Sequence, residues 1–487
     1  MSAAGLLLGE FMPTLDQNLG GVLISVTVAG VTTQAIPHYV SPGQIGAILP
    51  SATPPGEGTV RLTYNGETSA PYPILVVESA FGLMTMGGNG LGHAVVMDAG
   101  FTVLGPDNAP TAGQSVIFWG SGLGALEGDE TQLISAPRSL EELPFELYIG
   151  GKLAETAYHG RSQFPALDQI VAKIPDGVAG CFVSVYIKTG AFISNFTTIP
   201  VAAPGSRACE DVFTNSQEVV GLAGRENVVA GWLQLGRFIG HAQGMDGPTQ
   251  LISDAATVQF LRYTPANFQN WGGLSLTSMG SCALSTFVLS APFQPPILEG
   301  LDGGELSITT PGGPTPLVRQ GLGYNLAGTD VGTGMPLFVG EPGETHTYSA
   351  TGGPVVGMFS ESITLPAAFS VNGMADITTI PRNQDFEITW TGGSPDGYVL
   401  VTGSSNDLTS AITQFNCAVP AAEGRLTIPR DILASMIPSV IFPGPLFITS
   451  GQLLVYGYKA PKRFTAPGLD IGNKLTHFAE TATVAYE

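Results

Sequence analysis

The sequence predicts an all-β protein: tandem β-sandwich modules followed by two further β-rich domains. Three observations carry this. A segment recurs at a constant offset of 125 residues. Apolar and polar residues alternate over short runs, the period of a half-buried strand. Turn formers are abundant, with 65 Gly and 37 Pro among 487 residues, both above average usage. A chain of this length holds three or four domains at roughly 150 residues each, and each is large enough for its own core.

The repeat is the most specific of the three. Gln44, Ile45, Ala47, Pro50, Val60, Ser69, Ile74 and Val76 are identical to Gln169, Ile170, Ala172, Pro175, Val185, Ser194, Ile199 and Val201, without a gap. About two matches are expected by chance in such a window, so the segment is a duplication. In the first copy Val60, Leu62 and Tyr64 alternate with Arg61, Thr63 and Asn65; in the second, Cys181, Val183, Val185 and Ile187 alternate with Phe182, Ser184, Tyr186 and Lys188. Each pattern predicts a strand with one buried and one wet face. Asn65–Gly66 supplies the positive φ of a tight hairpin, and Thr189–Gly190 takes the corresponding place.

Only the second copy is preceded by an aromatic-rich strand ending in a glycine turn, Gly113 to Gly124. Met1 falls where the loop after such a strand belongs, so the first module is expected to lack its opening strand. Two alternatives stand beside this: a start assigned too late, with the strand encoded upstream, or donation within the chain by Ala3 to Leu8. The domains are therefore 1–78, the first copy; 79–204, the second; 205–366, β-rich; and 367–487, a C-terminal sandwich. The last boundary rests on a break between Pro366 and Asn372.

In the second half, Thr214 to Glu226 holds one helix, and strands are expected at Thr257 to Tyr263, Glu305 to Thr309, Pro336 to Val339 and Phe386 to Trp390. Pro429, followed by Asp431 to Met436 and then Pro438, predicts a short helix.

Cys181, Cys209, Cys282 and Cys417 show no C-x-x-C spacing and no paired histidines, which removes zinc and thioredoxin-like readings. An even count in a turn-rich β chain fits disulfides, with buried free thiols as the alternative. Three connectivities are open. Cys181 opens a strand whose hairpin partner runs back past it toward Cys209, which favours that pair.

With 18 Lys and Arg against 39 Asp and Glu, the net charge of -21 repels a phosphate backbone or an anionic membrane surface, so nucleic acid is set aside. No run of 18 apolar residues occurs, so no membrane-spanning helix is expected. The first ten residues lack a basic region and are not a signal peptide as written; export is coded upstream or the chain stays inside.

Tyr39-Val40-Ser41-Pro42-Gly43-Gln44-Ile45 with Leu49–Pro50, the strand from Gly113 to Gly124, and Ser194-Asn195-Phe196 leading into Ile199-Pro200-Val201 resemble the repeated C-terminal domain of large secreted proteins of Acidobacteria, a relative of the IPT/TIG immunoglobulin-like fold. The resemblance covers about residues 20–204. It implies immunoglobulin-like (Ig-like) sandwiches and an extracellular or cell-surface setting, and carries no catalytic activity, cofactor or ligand. The missing first strand departs from the family pattern.

No motif names a reaction. His38, His93, His159, His241, His346 and His477 are scattered singly, and Gly120-Ser121-Gly122 lacks the helix of a nucleophile elbow. Gly88 to Gly92 lacks the Lys-Ser/Thr pair of a phosphate loop and reads as an inter-module turn; Glu127 to Glu130 lacks calcium-loop spacing and reads as a solvated loop. Trp119, Trp232, Trp271 and Trp390 would make a sugar platform only if they shared a face, and Trp390 alternates in phase with Phe386 and Ile388, as a core residue does.

The expected protein is thus non-catalytic, without cofactor or metal. The first reading is a self-assembling surface or filament subunit, a homo-oligomer or polymer joined by strand addition between chains. Its candidate donor is the C-terminal segment with Leu475, Phe478, Thr481, Thr483, Val484 and Tyr486. The second reading is an adhesin or carbohydrate-binding protein with a surface glycan as partner.

Overall fold

The computed structural model describes residues 7–8, 15–128, 130–132, 134–244, 247–263, 277–288, 299–331, 335–442 and 448–487. It is built almost wholly of antiparallel sheets, an all-β chain of Ig-like sandwiches.

In the first copy, Val22–Val28 lies between Val31–Val40 and Gly56–Tyr64, and Tyr72–Val76 pairs with the far edge of Gly56–Tyr64. Val22, Ile24, Val26 and Val28 point inward in strict alternation. Val31–Val40 bends, leaving one sheet after Ala35 to pair with Ile45–Ile48 in the other. The second copy repeats the plan. Ile74 faces Gly58 across the ladder in the first copy, and Ile199 faces Val183 in the second; both members differ by 125, so the duplication preserves register. Asn65 and Gly190 occupy the same turn position and both have positive φ, at 50° and 61°.

The expected wet face of the second copy is corrected. Along Gly180–Thr189 only Lys188 is even half-exposed, and Phe182, Ser184 and Tyr186 are as buried as Val183 and Val185. The reason is tertiary: the C-terminal part of the chain lies against this face. Ser278 donates its amide to Phe182 O (3.1 Å) and accepts from Phe182 N through Oγ (2.9 Å).

The second half centres on a 12-stranded sheet. Val228–Gly244 and Gly247–Tyr263 form a long hairpin, Val228 opposite Tyr263 at its base. Ile471–Tyr486 runs parallel to Val228–Gly244 on one side and antiparallel to Gly451–Tyr458 on the other. The sheet continues through Tyr398–Asn406 and Ala411–Pro420 to Ser281–Val288. Two apolar cores pack on it. One gathers Leu233, Phe260, Phe338 and Tyr348; the other gathers Trp390, Phe415, Leu453 and Tyr486. The expected division near residue 366 cuts across both: the first core also takes in Phe464 and Ala466, the second takes in Leu284, and the sheet runs across it.

The helix within 214–226 spans Ser216–Leu222 and opens with a capping box: Asn215 Oδ1 accepts from Glu218 N, and Glu218 Oε2 accepts from Asn215 N. The short helix Arg430–Ala434 starts after Pro429. Pro336 to Val339 is not a strand. The amides of Phe338 and Val339 instead both donate to Asp254 Oδ2 at 2.7 Å, and that fully buried carboxylate also accepts from Arg237 Nε at 2.8 Å. A buried charge satisfied on every side costs little to keep.

Candidate functional site

The most informative site is defined by comparing the two copies. In the second, Asp168–Lys173 is flanked by Thr156–Arg161 on one edge and by Ser115–Ser121 on the other. In the first, the equivalent strand Ile45–Ile48 pairs with Val31–Val40, and among the described residues no strand pairs its other edge. The open side corresponds to the position of Ser115–Ser121.

Burial follows the difference. Ile170 and Ala172 are 0% exposed beneath Ser115–Ser121, whereas Ile45 is half-buried and Ala47 exposed. Ile174 is 1% exposed and its counterpart Leu49 is 42%. Ile199 and Val201 are sealed, while Ile74 and Val76 are half-buried. Tyr72 and Leu75 are the most exposed large apolar side chains among the described residues of the first module. An unpaired strand edge beside exposed apolar surface is the configuration that invites strand addition.

The second copy also holds its extra strands with polar ties that the first lacks. Asp168, fully buried, accepts from Leu123 N (2.8 Å), just past Ser115–Ser121, and from Arg161 Nε (2.7 Å). Burial raises the Asp168 pKa, and the Arg161 charge works against that rise. Asn195 Oδ1 accepts from Leu83 N (2.7 Å), and its Nδ2 donates to Leu83 O and Gly90 O (3.1 and 2.9 Å), fastening Gly82–Leu83 to the sheet. At offset 125 these positions are Gly43 and Ala70. Among the described residues, the first copy therefore has neither these strands nor the side chains that tie them down. Gly88 to Gly92 belongs to this tied edge, not to a free inter-module turn.

The modules meet at the opposite end of the open strand. Leu15, Ile36 and Ile48 pack together with Ala166 of the second copy, and Ser51 N donates to Glu130 Oε1 at 2.8 Å. This acidic loop is an inter-module contact; its Asp129 lies outside the described residues.

The expected donor segment is placed differently from its proposed role. Leu475, Phe478, Thr481, Thr483, Val484 and Tyr486 all sit in Ile471–Tyr486, an interior strand with a partner on each edge in the same chain. Leu475, Val484 and Tyr486 are buried in the core, and Tyr486 OH donates to Gln452 O at 3.0 Å. The donor assignment is corrected for this reason: a strand paired on both edges has no free backbone to offer. Of Ala3 to Leu8, only Leu7 and Leu8 are described; they pair with Val40 and Tyr39, away from the open edge.

The cysteines form two disulfides, Cys181–Cys209 and Cys282–Cys417. The second joins directly opposed residues of neighbouring strands. Trp390 is buried and donates Nε1–H to Ala421 O (2.9 Å); Trp119 and Trp232 are half-buried in separate parts of the fold, and Trp271 lies outside the described residues. No tryptophan platform forms among those described. Four histidines are spent singly: His93 on Thr198, His159 on Leu140 O, His346 on Thr309 O and His241 on Glu480. Among the described residues no group of three His, Cys, Asp or Glu converges as a metal site.

No family model matches the chain. No curated protein matches it either. Solved structures with likeness include an I-band fragment of titin (9% identity, 77% of this chain and 94% of that one, TM-score 0.12). Another is SGBP-B of the Bacteroides ovatus mixed-linkage glucan utilization locus, in complex with a mixed-linkage heptasaccharide (8%, 90% and 91%, TM-score 0.14). A third is the Sidekick-1 immunoglobulin domains 1–5 (8%, 95% and 92%, TM-score 0.11). At such scores these likenesses carry no argument about function, and the fold class rests on the strand pairing itself.

A second concavity, of about 1000 Å³, opens between the second copy and residues of the second half of the chain, 280–282 and a set between 383 and 432. Its walls include Tyr148, Tyr186 and Lys188 on one side and Arg425, Arg430 and Asp431 on the other. None of these was marked as a site by sequence, because no local motif links residues as far apart as Tyr186 and Asp431, which lie 245 positions from one another.

Proposed function

We propose that this chain is an extracellular structural protein, non-catalytic, whose first module accepts a β-strand from another polypeptide and so joins subunits into an oligomer or polymer. The single observation behind this reading is the open edge of Ile45–Ile48, set against the same strand paired on both edges in the second copy. The second copy also states what the guest must be: an antiparallel strand with apolar side chains in alternation, as Val116 and Phe118 are there, 1% and 0% exposed. Backbone bonds to the open edge supply affinity and the inward side chains supply selectivity. Two disulfides favour an oxidising, extracellular compartment, and among the described residues no helix is long and apolar enough to cross a membrane.

The test uses the intact chain with a labelled peptide of the sequence from Gln114 to Ser121. Saturable binding, with new hydrogen-exchange protection at Ile45 to Ile48, is the expected result. Protection of both edges of that strand in the isolated monomer would overturn the reading, since the edge would already be filled. Light scattering on the untreated protein then reports whether subunits join. A second reading, a surface adhesin that binds a glycan, is favoured by the concavity between the second copy and the second half of the chain.

A further inference from the structure

From the lining of this inter-module cleft we infer an oligosaccharide site that selects a ligand carrying a carboxylate, a uronate-bearing glycan. The inference rests on the adhesin reading and is independent of strand addition.

Its first support is shape and rigidity. At about 1000 Å³ the cleft stands at the top of the ~300–1000 Å³ range of small-molecule sites. Its two walls are locked together: Ser278 binds Phe182 through both backbone and Oγ, and Ser278 Oγ also donates to Asp211 Oδ2 at 2.7 Å. Tyr186 of the second copy belongs to the same apolar core as Phe415 and Tyr486. The cleft is therefore a built feature of the fold.

The second support is the chemistry of the walls. Tyr148 and Tyr186 stack with ring centroids 4.9 Å apart and planes 7° from parallel. Tyr186 is buried beneath, while Tyr148 remains half-exposed and presents apolar surface to the cleft, of the kind that meets the C–H face of a sugar ring. Around it the charges are mostly closed on one another. Lys188 bridges Glu146 (3.5 Å) and Asp431 (3.2 Å), and Tyr186 OH donates to Asp431 Oδ2 at 3.3 Å. Lys152 is spent on the backbone carbonyls of Asp176 and Gly177. Closed pairs of this sort offer interleaved donors and acceptors, the pattern that suits hydroxyl groups.

The third support is what stays open. Ser184, 1% exposed and lining the cleft, has an Oγ without a hydrogen-bond partner in the protein. The exposed Arg425 guanidinium makes no ion pair among the described residues. In a chain with only 18 basic residues and a net charge of -21, four cations converge here against three lining carboxylates, Asp385, Glu423 and Asp431. A planar fork left unpaired beside sugar-compatible walls is matched by a carboxylate in two parallel hydrogen bonds. The first copy differs: at the positions of Ser184, Tyr186 and Lys188 it carries Thr59, Arg61 and Thr63, and Arg61 is exposed.

The experiment is calorimetric titration of the whole chain with oligogalacturonate, with neutral cello-oligosaccharide as the other arm. Binding of the uronate is expected, weakened roughly tenfold or more by Arg425→Gln and by Tyr148→Ala, with Arg425→Lys retaining part of it. Both side chains reach solvent, so the variants fold, and an unchanged thermal transition verifies this. Equal binding of the neutral arm, an Arg425→Gln variant that binds as the parent does, or silence in both arms each overturns the proposal. None of these outcomes touches the peptide-binding test of the first module.

Discussion

The paired positions Ile74 and Ile199 allow the open edge to be measured as an energy. Both face the inside of their module, both sit opposite the same ladder position, and they differ in what covers them. Ile199 is 0% exposed, so Ile199→Ala loses buried methyl groups and leaves a cavity, at about 2–5 kcal/mol. Ile74 is half-buried at the margin of its core. Ile74→Ala surrenders part of a burial worth about 1.5–3 kcal/mol and leaves no closed cavity, so about 1 kcal/mol is expected. The chain has several cores and does not unfold in one step, so the assay is native-state hydrogen exchange, read at amides of 56–64 for one variant and 180–189 for the other. A saturating peptide of residues 114–121 should raise the Ile74→Ala cost toward that of Ile199→Ala, because the added strand turns a margin into an interior. Equal costs without peptide would refute the reasoning, since Ile74 would then already be covered in solution.

Three further outcomes follow from the geometry. Replacing Cys282 and Cys417 by Ser opens a cross-link spanning 135 residues and should cost about 5 kcal/mol on loop closure, against about 3.5 kcal/mol for the 28-residue span of Cys181–Cys209; comparing melting of the two double variants under non-reducing conditions ranks them. Burial lowers both His93 and His477 from 6.5 to about 4. Between those values the unfolded chain binds the protons and the folded chain does not, so stability is full above pH 6.5 and falls as pH drops toward 4, by about 2 kcal/mol per histidine at pH 5. Urea midpoints that stay level from pH 7 to pH 5 would show that these imidazoles are not buried neutral. Asn195→Ala removes three hydrogen bonds that hold Leu83 and Gly90, and should free the strand Gly82–Leu83 at a cost of about 1–3 kcal/mol, seen as faster exchange at Leu83 with the core of 180–189 still protected.

Much of the fold was legible because strand faces and turns are local. Period-2 alternation placed Val183, Val185 and Ile187 inside, Asn65–Gly66 marked its turn, and the offset of 125 carried register from one copy to the other. The stretch from Thr214 to Glu226 was legible as one helix, and the structure adds the capping box of Asn215 and Glu218 that opens it. Apolar content alone misled at Pro336 to Val339, where the buried carboxylate of Asp254, 84 positions before Phe338, takes amides that a ladder would otherwise claim.

What covers a face, and which strand lies beside which, was decided only in three dimensions. Alternation says that Phe182, Ser184 and Tyr186 share a side; it does not say that Ser184 and Tyr186 line a cleft closed by residues more than 90 positions further along the chain. The alternating tail from Leu475 to Tyr486 reads equally well as a strand for another chain or for its own sheet, and the parallel pairing with Val228–Gly244, far back along the chain, settles its place. The physical reason is common to all of these cases. A strand satisfies half its backbone bonds on each edge, and its own sequence fixes which side chains face inward but not which neighbour completes the ladder. By the same reasoning, sequence located the duplicated module, and the structure showed which edge of its first copy has no partner strand among the described residues.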